Sequence, residues 1–419
     1  MPGLSLPFSI SRQGETVNNL ADTARTGKAF SMGSPRALEL LQAARDLQPV
    51  LLERAAQCKS QRRVPDETIA DFHAAGFFKI LQSAQYGGYE MDPQVFYAVG
   101  LELAKACMSS AWVLGVVAVH NWQMNLFDPQ ASVDVWGDDP TVLVSSSYAP
   151  MGRVTPVEGG FTLSGRWSFS SGCEHCQWVF LGAVIPTEEA PWNMENYSTF
   201  LLPRGDYAIE ENWDVTGLQG TGSHDIVVDN VFVPEHRVHR MREDRNGEKH
   251  RTKAPLYRLP FMQVFSRAVC NASLGAVEGV LENYIEVAKT RVAGPVPMRD
   301  DPSAKKVAAD AKAEIEYMKL MMFTSFDALM EGARTGNEVS LVQRALFRYE
   351  TSKVADQCLA LSSRMLKATG SGAIRNNSAM LARHQDIFAS QAHIANISEP
   401  FAINLGGMLF GQDSTDASL

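Results

Sequence analysis

The sequence predicts an α+β protein in which a central antiparallel β domain separates an N-terminal helical domain from a C-terminal four-helix bundle. Three observations carry this prediction. Apolar residues recur at helical spacing up to about residue 140, short β-branched and aromatic runs separated by Gly, Pro and Asn follow, and long helical patterns resume after a charged stretch. Helices and strands that are segregated along a chain, instead of alternating, are typical of α+β folds.

These shifts in composition divide the chain into five parts. We predict an N-terminal arm at residues 1–34, a helical domain at 35–140, a β domain at 141–240, a linker at 241–259 and a helical bundle at 260–419. The arm is rich in Ser, Gly and Thr and has no periodicity, as is typical of a loosely held terminus. The linker begins with the charged stretch "MREDRNGEKHRTKAP".

The helical domain is predicted from its apolar spacing and from one helix start. The stretch "SPRALELLQAARDLQPVLLERAAQC" spaces its leucines as the buried face of a helix does. A second helix begins in "VPDETIADFHAAGFFKIL", because Pro65 and two acidic residues stand in its first turn. The stretch "PQVFYAVGLELAKACMSSAWVLGVVAVHNWQM" is apolar on nearly every side, so we expect a largely buried helical region.

Short stretches of sequence also predict a hairpin in the β domain and the first helix of the bundle. In "TPVEGGFTLSG" the sequence predicts a hairpin that turns at Glu158, Gly159 and Gly160. The bundle begins with "FMQVFSRAVCNASLGAVEGVLENYIEVAKTR", and further helical patterns follow it. The apolar stripe of that first helix consists of Phe261, Phe265, Ala268, Ala272, Ala276, Val280, Tyr284 and Ala288.

Charge and composition exclude several classes of function. The chain has 419 residues, with 38 Lys and Arg against 47 Asp and Glu, and this net charge of −9 argues against nucleic acid as the main partner. The longest apolar run, residues 111–119, is far too short to cross a bilayer, and no secretory signal is recognisable. Six cysteines in so long a chain do not form a disulfide framework. We therefore expect a cytoplasmic protein without a membrane partner.

The stretch "GRWSFSSGCEHC" admits a metal knuckle, a redox dithiol, a nucleophilic serine or an ordinary strand followed by a turn. A structural zinc site needs four ligands, and no second C-x-x-C pair accompanies Cys173 and Cys176. A redox pair stands at a helix N-terminus, whereas this pair lies between strands. We therefore expect no metal here and two inert thiols, with His175 left unexplained.

Two histidines lie in apolar surroundings. His120 follows the long apolar helical run, and His393 lies in "ASQAHIANISEP" near the C-terminus. A buried polar ring must be hydrogen-bonded or functional. Taken alone, each residue is compatible with a satisfied core histidine and with a catalytic one.

Seven stretches, taken in order, make the chain similar to one known family. They are "RRVPDE", "YGGYEMD", "SSAWVLGVVAVHNWQMNLF", "SSSYAPMGRV", "SFSSGCEHCQW", "GTGSHDIVVDNVFVPEHR" and "AHIANISEP". The chain resembles the oxygenase components of two-component flavin-dependent aromatic monooxygenases, such as the 4-hydroxyphenylacetate 3-hydroxylase and steroid-degradation phenol hydroxylase types. The resemblance covers nearly everything from about residue 36 and implies the acyl-CoA dehydrogenase fold.

The resemblance implies an activity and its cofactor. Reduced FMN or FAD, supplied by a separate flavin reductase, would react with O₂ to form a C4a-hydroperoxide, which would hydroxylate a phenolic substrate beside its hydroxyl group. The family resemblance also implies a homotetramer. No NAD(P)H-binding fingerprint is recognisable in the chain, which agrees with reduction by another protein.

The resemblance also assigns residues to the flavin. Ser171 matches the residue near flavin N5, Ser146 matches a second pocket hydroxyl, and Trp112 matches an aromatic wall of the flavin site. Arg291 matches an arginine that reaches a flavin phosphate across a subunit boundary, and its planar fork suits a phosphate. Each of these residues also has an ordinary structural interpretation, as a turn serine, a core tryptophan or a solvated arginine at a helix end.

On the substrate side, the resemblance implies roles for both histidines. His120 matches the residue that accepts or shares the phenolic proton, a task suited to a group that titrates near neutrality. His393 matches a second active-site histidine that faces the substrate or the peroxide, and Phe265 matches a ring packed on the substrate. We therefore predict His120, His393 and Ser171 as catalytic residues.

Other functions remain open at this point. An acyl-CoA dehydrogenase needs a carboxylate base, but "SQAH" at residues 390–393 stands where many of these enzymes have Glu-Gly-Thr. Glu278 and Glu282 lie near the other position that such a base occupies. An N-, S- or nitro-group monooxygenase of the same fold, and a non-enzymatic helical interaction protein, are the remaining alternatives.

Overall fold

The computed structural model describes most of the chain. The described residues are 32–188, 192–244, 254–292, 296–416 and 418–419. The predicted N-terminal arm therefore lies outside them except for its last three residues, and so does the middle of the predicted linker.

Five helices form the N-terminal domain from residue 32 onward, where the described chain begins. They are α1 (Pro35–Gln61), α2 (Asp66–Ala74), α3 (Pro93–Ala106), α4 (Met108–Gln123) and α5 (Pro129–Trp136). Every residue of α4 is buried, as its apolar sequence predicts, so this helix runs through the centre of the molecule. It carries both Trp112 and His120, which lie eight residues and therefore about 12 Å apart along the helix axis.

A seven-stranded sheet follows the helices. Its strands are β1 (Val144–Val157), β2 (Gly160–Ser170), β3 (Trp178–Val184), β4 (Tyr197–Pro203), β5 (Ala208–Glu210), β6 (His224–Pro234) and β7 (Val238–Arg240), in the order β5-β6-β2-β1-β3-β4-β7. The hairpin between β1 and β2 is present, with Val157 opposite Gly160 and Gly159 at φ +77°. The pair β1 and β3 is parallel, so the sheet is mixed where the strand pattern predicts only antiparallel pairs.

Helices resume after the sheet. They are α6 (Met241–Asp244), α7 (Phe261–Thr290), α8 (Pro302–Thr335), α9 (Leu341–Thr369), α10 (Ala379–Ser390) and α11 (Glu399–Leu409). Helix α7 is buried along most of its length and packs on α3, α4, α9 and α10. This architecture is the predicted order of helices, sheet and helices. In the described part of the chain, no helix is long and apolar enough to cross a membrane.

One loop, residues 217–223, joins all three parts of the molecule. A side chain at Gly217 would come within 2.0 Å of the Gln385 carbonyl of α10, and one at Gly220 would come within 2.1 Å of Cys58 Sγ on α1. The Leu218 N–H donates to Asp386 Oδ1 of α10 at 2.7 Å. The two glycines therefore allow a close approach that no larger residue permits, and the loop is clamped between α1 and α10.

We expect the half-buried Asp386 to make the stability of the protein depend on pH. Burial raises the pKa of Asp386 to about 7, above its usual value of about 3.9. The stability that this carboxyl contributes is therefore complete below about pH 3.9 and is lost progressively as the pH rises from there to about 7. Asp386→Asn keeps an acceptor for the Leu218 N–H but never ionises. Urea denaturation should show the stability of the variant, relative to the wild type, rising by on the order of 1–2 kcal/mol between pH 5 and pH 8.5.

The exposed Asp413 provides the control for this comparison. Asp413→Asn should have the same stability relative to the wild type at both pH values. A constant difference between Asp386→Asn and the wild type from pH 5 to pH 8.5 would contradict the prediction.

Candidate active site

A row of hydroxyl groups lies where β2 ends. Trp112 Nε1 of α4 donates to Ser171 Oγ at 3.2 Å, and Ser171 Oγ lies 2.7 Å from Ser223 Oγ. Ser223 Oγ lies 2.7 Å from Thr221 Oγ1, which donates to the Leu218 carbonyl at 2.9 Å. Ser223 and Thr221 are buried, whereas Ser171 is half-buried. A polar row therefore crosses from the central helix to the loop of residues 217–223.

The backbone at the end of β2 is strained, and this strain places Ser171. Phe169 has φ +69°, which is costly for a residue with a bulky side chain, and Gly172 also has φ +69°. The Phe169 side chain is 70% exposed and meets Trp213 edge to face. The Gly172 N–H donates to the Thr221 carbonyl at 2.9 Å, so the turn is tied to the loop of residues 217–223. Sequence reasoning passed over Phe169, although an exposed aromatic residue beside a site serine is a signal.

His120 presents an unused acceptor inside the protein. Its Nδ1 lies 2.6 Å from the Val144 carbonyl, and because a carbonyl cannot donate, Nδ1 must carry the proton. Burial lowers the pKa of His120 to about 4, so the ring is neutral near pH 7 and Nε2 has a free lone pair. This Nε2 is buried and has no hydrogen-bond partner among the described residues. A buried acceptor without a partner is costly unless a ligand supplies the missing donor.

Aromatic rings connect His120 with Trp112. The Tyr148 ring lies 6.1 Å from the His120 ring and 4.9 Å from the Phe265 ring, edge to face in both cases. The Phe265 ring lies 6.3 Å from His393, whose ring lies 5.9 Å from Trp112. The structure therefore brings His120, Phe265, His393 and Trp112 into one continuous group, and Tyr148 is the member that sequence reasoning missed.

Ser146 belongs to the Tyr148 side of this group. It lies on β1 opposite Phe180 of β3, and the Tyr148 hydroxyl donates to Gln123 Oε1. Burial raises the pKa of Tyr148 well above its usual value of about 10, while the side chains of Ser146 and Gln123 oppose that rise by hydrogen bonding. Tyr148 is therefore a neutral phenol at physiological pH. The signal for it was available, since "SSSYAP" contains both residues.

His393 has the opposite hydrogen-bonding character to His120. Its Nδ1 accepts the Ala395 N–H at 3.1 Å, so the neutral ring carries its proton on Nε2. Burial and the nearby charge of Arg348 lower the pKa of His393 to about 4. The buried Arg348 also donates to the Ala395 carbonyl at 3.1 Å and so holds the same turn. At neutral pH the group therefore contains one histidine that accepts and one that donates.

Arg291 lies apart from this group. It ends α7, and its guanidinium lies close to Gly370 and Gly372. Its contacts within the described chain are made at this end of the bundle and do not include the serines or histidines of the site. The structure therefore does not bring Arg291 together with the other six predicted residues.

The C-x-x-C stretch has a structural role. Cys173 Sγ and Cys176 Sγ contact the Gly222 and Gly172 carbonyls at 3.7 and 3.4 Å, and burial raises the pKa of Cys173 to about 12. Among the described residues, no group of three or more His, Cys, Asp or Glu side chains is placed to hold a metal ion.

His175 fastens this stretch to the helical domain. Its Nδ1 lies 3.3 Å from both Arg63 Nη2 and Asp66 Oδ1, which belong to the connection between α1 and α2 and the first turn of α2. Its ring is buried, and burial lowers its pKa to about 4. The His175 contacts therefore hold from behind the turn that carries Ser171.

Glu278 is occupied by an ion-pair network. Lys319 Nζ lies 2.5 Å and Lys105 Nζ 3.4 Å from its carboxylate, and these cations hold its pKa below the usual range against the effect of burial. Glu282 is half-exposed and lies 3.5 Å from the same Lys105. Ser390, where a Glu-Gly-Thr motif would begin, shares a hydrogen bond with Ser273 at 2.8 Å. Neither glutamate is therefore positioned as a free base beside the histidines.

Comparisons with known proteins identify the family of the chain. Family models described as "Acyl-CoA dehydrogenase, N-terminal domain" and "Acyl-CoA dehydrogenase, C-terminal domain" match residues 34–127 and 268–397. The oxygenase subunit HsaA of a flavin-dependent monooxygenase from Rhodococcus jostii is 34% identical, covering 88% of this chain and 98% of its own. The p-hydroxyphenylacetate 3-hydroxylase oxygenase component from Acinetobacter baumannii is 29% identical, covering 90% of each chain.

Solved structures give the same result. The crystal structure of 3-HSA hydroxylase from Rhodococcus sp. RHA1 superimposes with a TM-score of 0.87 at 34% identity, covering 91% of this chain and 99% of the other. Butyryl-CoA dehydrogenase from Megasphaera elsdenii, at 17% identity and a TM-score of 0.75, shares the fold. The protein is therefore of the acyl-CoA dehydrogenase fold class. Within it, the chain belongs to the family of oxygenase components of flavin-dependent monooxygenases, as its sequence resemblance predicts.

The residues of the site fit the flavin that this family uses. The groups around Ser171 are neutral hydroxyls and an indole, which can meet a flavin ring edge without placing a charge beside it. Ser171 is half-buried and Phe169 is exposed, so both are accessible to a bound ring. The buried Nε2 of His120 still requires a donor, which the substrate of a phenol hydroxylase has.

Proposed function

We propose that this chain is the oxygenase component of a two-component system that uses reduced FMN or FAD and O₂ to hydroxylate a phenolic substrate ortho to its hydroxyl group. One oxygen atom enters the ring, the other leaves as water, and the reduced flavin supplies two electrons. The observation that carries the proposal is the buried, unpartnered Nε2 of the neutral His120. A phenolic hydroxyl is the donor that this acceptor lacks.

The chain's own residues would bind and polarise the phenol. His120 Nε2 accepts the phenolic O–H, and the bond from Nδ1 to the Val144 carbonyl holds the ring in that tautomer. Pulling the phenolic proton towards His120 raises the electron density at the ortho carbon. Phe265 and Tyr148 supply apolar walls of the size that an aromatic ring needs.

The flavin end of the site would lie beside Ser171 and Trp112. When bound, the reduced flavin supplies the activation of O₂. Ser171 would accept from flavin N5–H through its hydroxyl oxygen, and the neutral His393 would have its Nε2–H available to donate at the same site. The rings of Phe265, His393 and Trp112 reduce the access of water to this region.

The other chemistry weighed for this fold has less support. An acyl-CoA dehydrogenase requires a carboxylate base, whereas Glu278 is held by Lys319 and Lys105. The nitro group or thioether on which a nitro- or S-group monooxygenase acts has no proton to donate to His120 Nε2. His120 therefore favours a phenol over these substrates.

The proposed function also implies a reductase partner and an oligomeric state. A separate reductase would deliver the reduced flavin by diffusion, and the protein would act in the cytoplasm as a homotetramer. Exposed apolar residues on the C-terminal part support self-association, among them Ile394 at 76% and Phe410 at 87% exposure. Arg291 would contact a flavin phosphate held mainly by another subunit, which accounts for its distance from the cluster in a single chain.

A substrate screen tests the function. The protein is incubated with a generic flavin reductase, NADH, FMN or FAD, ¹⁸O₂ and a panel of phenols, each paired with its methyl ether. Catechols that contain one ¹⁸O atom are expected from the phenols, and none from the ethers, because an ether cannot donate to His120. Anaerobic oxidation of an acyl-CoA, or equal turnover of phenol and ether, would contradict the proposal.

A further inference from the structure

The row of hydroxyls from Trp112 to Leu218 has only one possible direction. The Trp112 Nε1–H can only donate, and the Leu218 carbonyl can only accept. Four contacts join the members of the row, and four protons are available, one from the indole and one from each of Ser171, Ser223 and Thr221. Each proton therefore belongs to one contact, and every hydroxyl donates towards Leu218.

This direction determines what Ser171 offers to a ligand. Its own proton is donated to Ser223, and one of its lone pairs accepts from Trp112. What remains is a single lone pair on a half-buried oxygen. Ser171 can therefore accept a hydrogen bond from a ligand but has no proton to give.

A reduced flavin and an oxidised flavin differ in whether N5 carries a hydrogen. N5 carries a hydrogen in the reduced ring and can donate, whereas N5 of the oxidised ring is only an acceptor. An acceptor placed opposite N5 therefore forms a hydrogen bond with the reduced flavin and repels the oxidised flavin. This step rests on the proposed function, which places a flavin edge at Ser171.

We infer that Ser223 and Thr221 are positioning residues that fix the direction of the Ser171 hydroxyl and thereby make the site select the reduced form of the flavin. Neither residue needs to touch the flavin, since both are buried behind Ser171. Ser223 accepts the proton of Ser171, and Thr221 accepts the proton of Ser223, so both residues act through the direction of the row.

The row can keep its direction because the loop that anchors it cannot easily move. Gly217 lies against the Gln385 carbonyl, Gly220 against Cys58, and Leu218 is held by Asp386. Leu218 itself has φ +55°, a conformation that persists only where the surroundings impose it. The carbonyl at the end of the row is therefore a fixed acceptor.

A substitution at Thr221 can remove one hydroxyl of the row with little change in side-chain shape. Valine has nearly the same shape as threonine but lacks the hydroxyl. In Thr221→Val the Leu218 carbonyl keeps two hydrogen bonds, because it still accepts from Trp213 Nε1 at 2.9 Å and from the backbone N–H of residue 221 at 3.1 Å. The Ser223 proton loses its acceptor and can turn to Ser171, whose own proton is then released towards the flavin. Thr221→Ser keeps the hydroxyl and is the matched control.

The measurement is the dissociation constant of FMN in its oxidised and in its anaerobically reduced form, for the wild type and each variant. The wild type should bind the reduced form more tightly. Thr221→Val and Ser223→Ala should each lower the ratio of oxidised to reduced dissociation constants about tenfold. The midpoint potential of the bound flavin should fall by about 30 mV for such a change, while Thr221→Ser should retain the ratio.

The outcomes separate this inference from the proposed function. If the wild type binds neither FMN nor FAD in either form, the proposed function is wrong. If it binds flavin without preferring the reduced form, or if Thr221→Val weakens both forms equally, the inference is wrong and the flavin site stands. Thermal unfolding by circular dichroism confirms that each variant is folded before binding is measured.

Discussion

Replacing His120 with Asn should lower the rate of phenol hydroxylation by at least about 100-fold, the least that a positioned base usually contributes. The amide nitrogen of Asn can still donate to the Val144 carbonyl, as His120 Nδ1 does at 2.6 Å. It cannot reproduce the buried Nε2 acceptor. The variant therefore removes the contact proposed for the substrate and leaves the anchoring hydrogen bond in place.

Reduced flavin should bind to His120→Asn as it does to the wild type, because Trp112, which donates to Ser171, lies about two turns of α4 away. Oxygen consumption should continue, with hydrogen peroxide replacing the catechol as product. His384→Asn is the control, since His384 is a half-buried histidine that hydrogen-bonds Ser362 and lies outside the group of rings. Retained catechol yield in His120→Asn would assign His120 a purely structural role.

The pH dependence of the reaction is a second readout of the same histidine. Burial lowers the pKa of His120 to about 4, so its Nε2 is already unprotonated at pH 5.5. A histidine with the usual pKa of about 6.5 would lose its acceptor on acidification through that value. Phenol binding should therefore remain constant from pH 8 down to pH 5.5, and it should weaken only as the pH falls towards 4.

The fold was predictable because its signals are local. The buried helix α4 follows from its continuous apolar sequence, and the β1–β2 hairpin follows from adjacent glycines at its turn. The parallel pairing of β1 and β3 was not predictable, since those strands are brought together by the path of the chain through β2 and the turn after it. Turn signals report only on strands that follow one another in sequence.

The candidate site likewise combines features that the sequence predicts with features that it does not predict. Residue types such as Ser171 and His120 could be selected by resemblance, but their contacts join segments that are far apart in the sequence. The bond between Trp112 and Ser171 spans 59 residues, and the pair Ser171 and Ser223 spans 52. Which nitrogen of His120 is free, and which way the hydroxyl row runs, depend on single carbonyl groups that no sequence pattern marks.

Replacing Ser171 with Ala should uncouple O₂ consumption from hydroxylation. The variant removes the lone pair that, in the proposed site, would accept from flavin N5–H, so this proton would no longer be held in place. We expect reduced FMN to bind about fivefold to tenfold more weakly, as for the loss of one hydrogen bond. Most of the oxygen consumed should appear as hydrogen peroxide, measured beside catechol in the same reaction.

The neighbouring Ser170 supplies the matched control for this variant. Its hydroxyl is fully buried and has no partner among the described residues, so Ser170→Ala removes the same atom one position earlier without breaking a hydrogen bond. Peroxide release should remain at the wild-type level in Ser170→Ala and rise only in Ser171→Ala. Equal peroxide release in the two variants would mean that the strained end of β2, and not the Ser171 hydroxyl, protects the reaction.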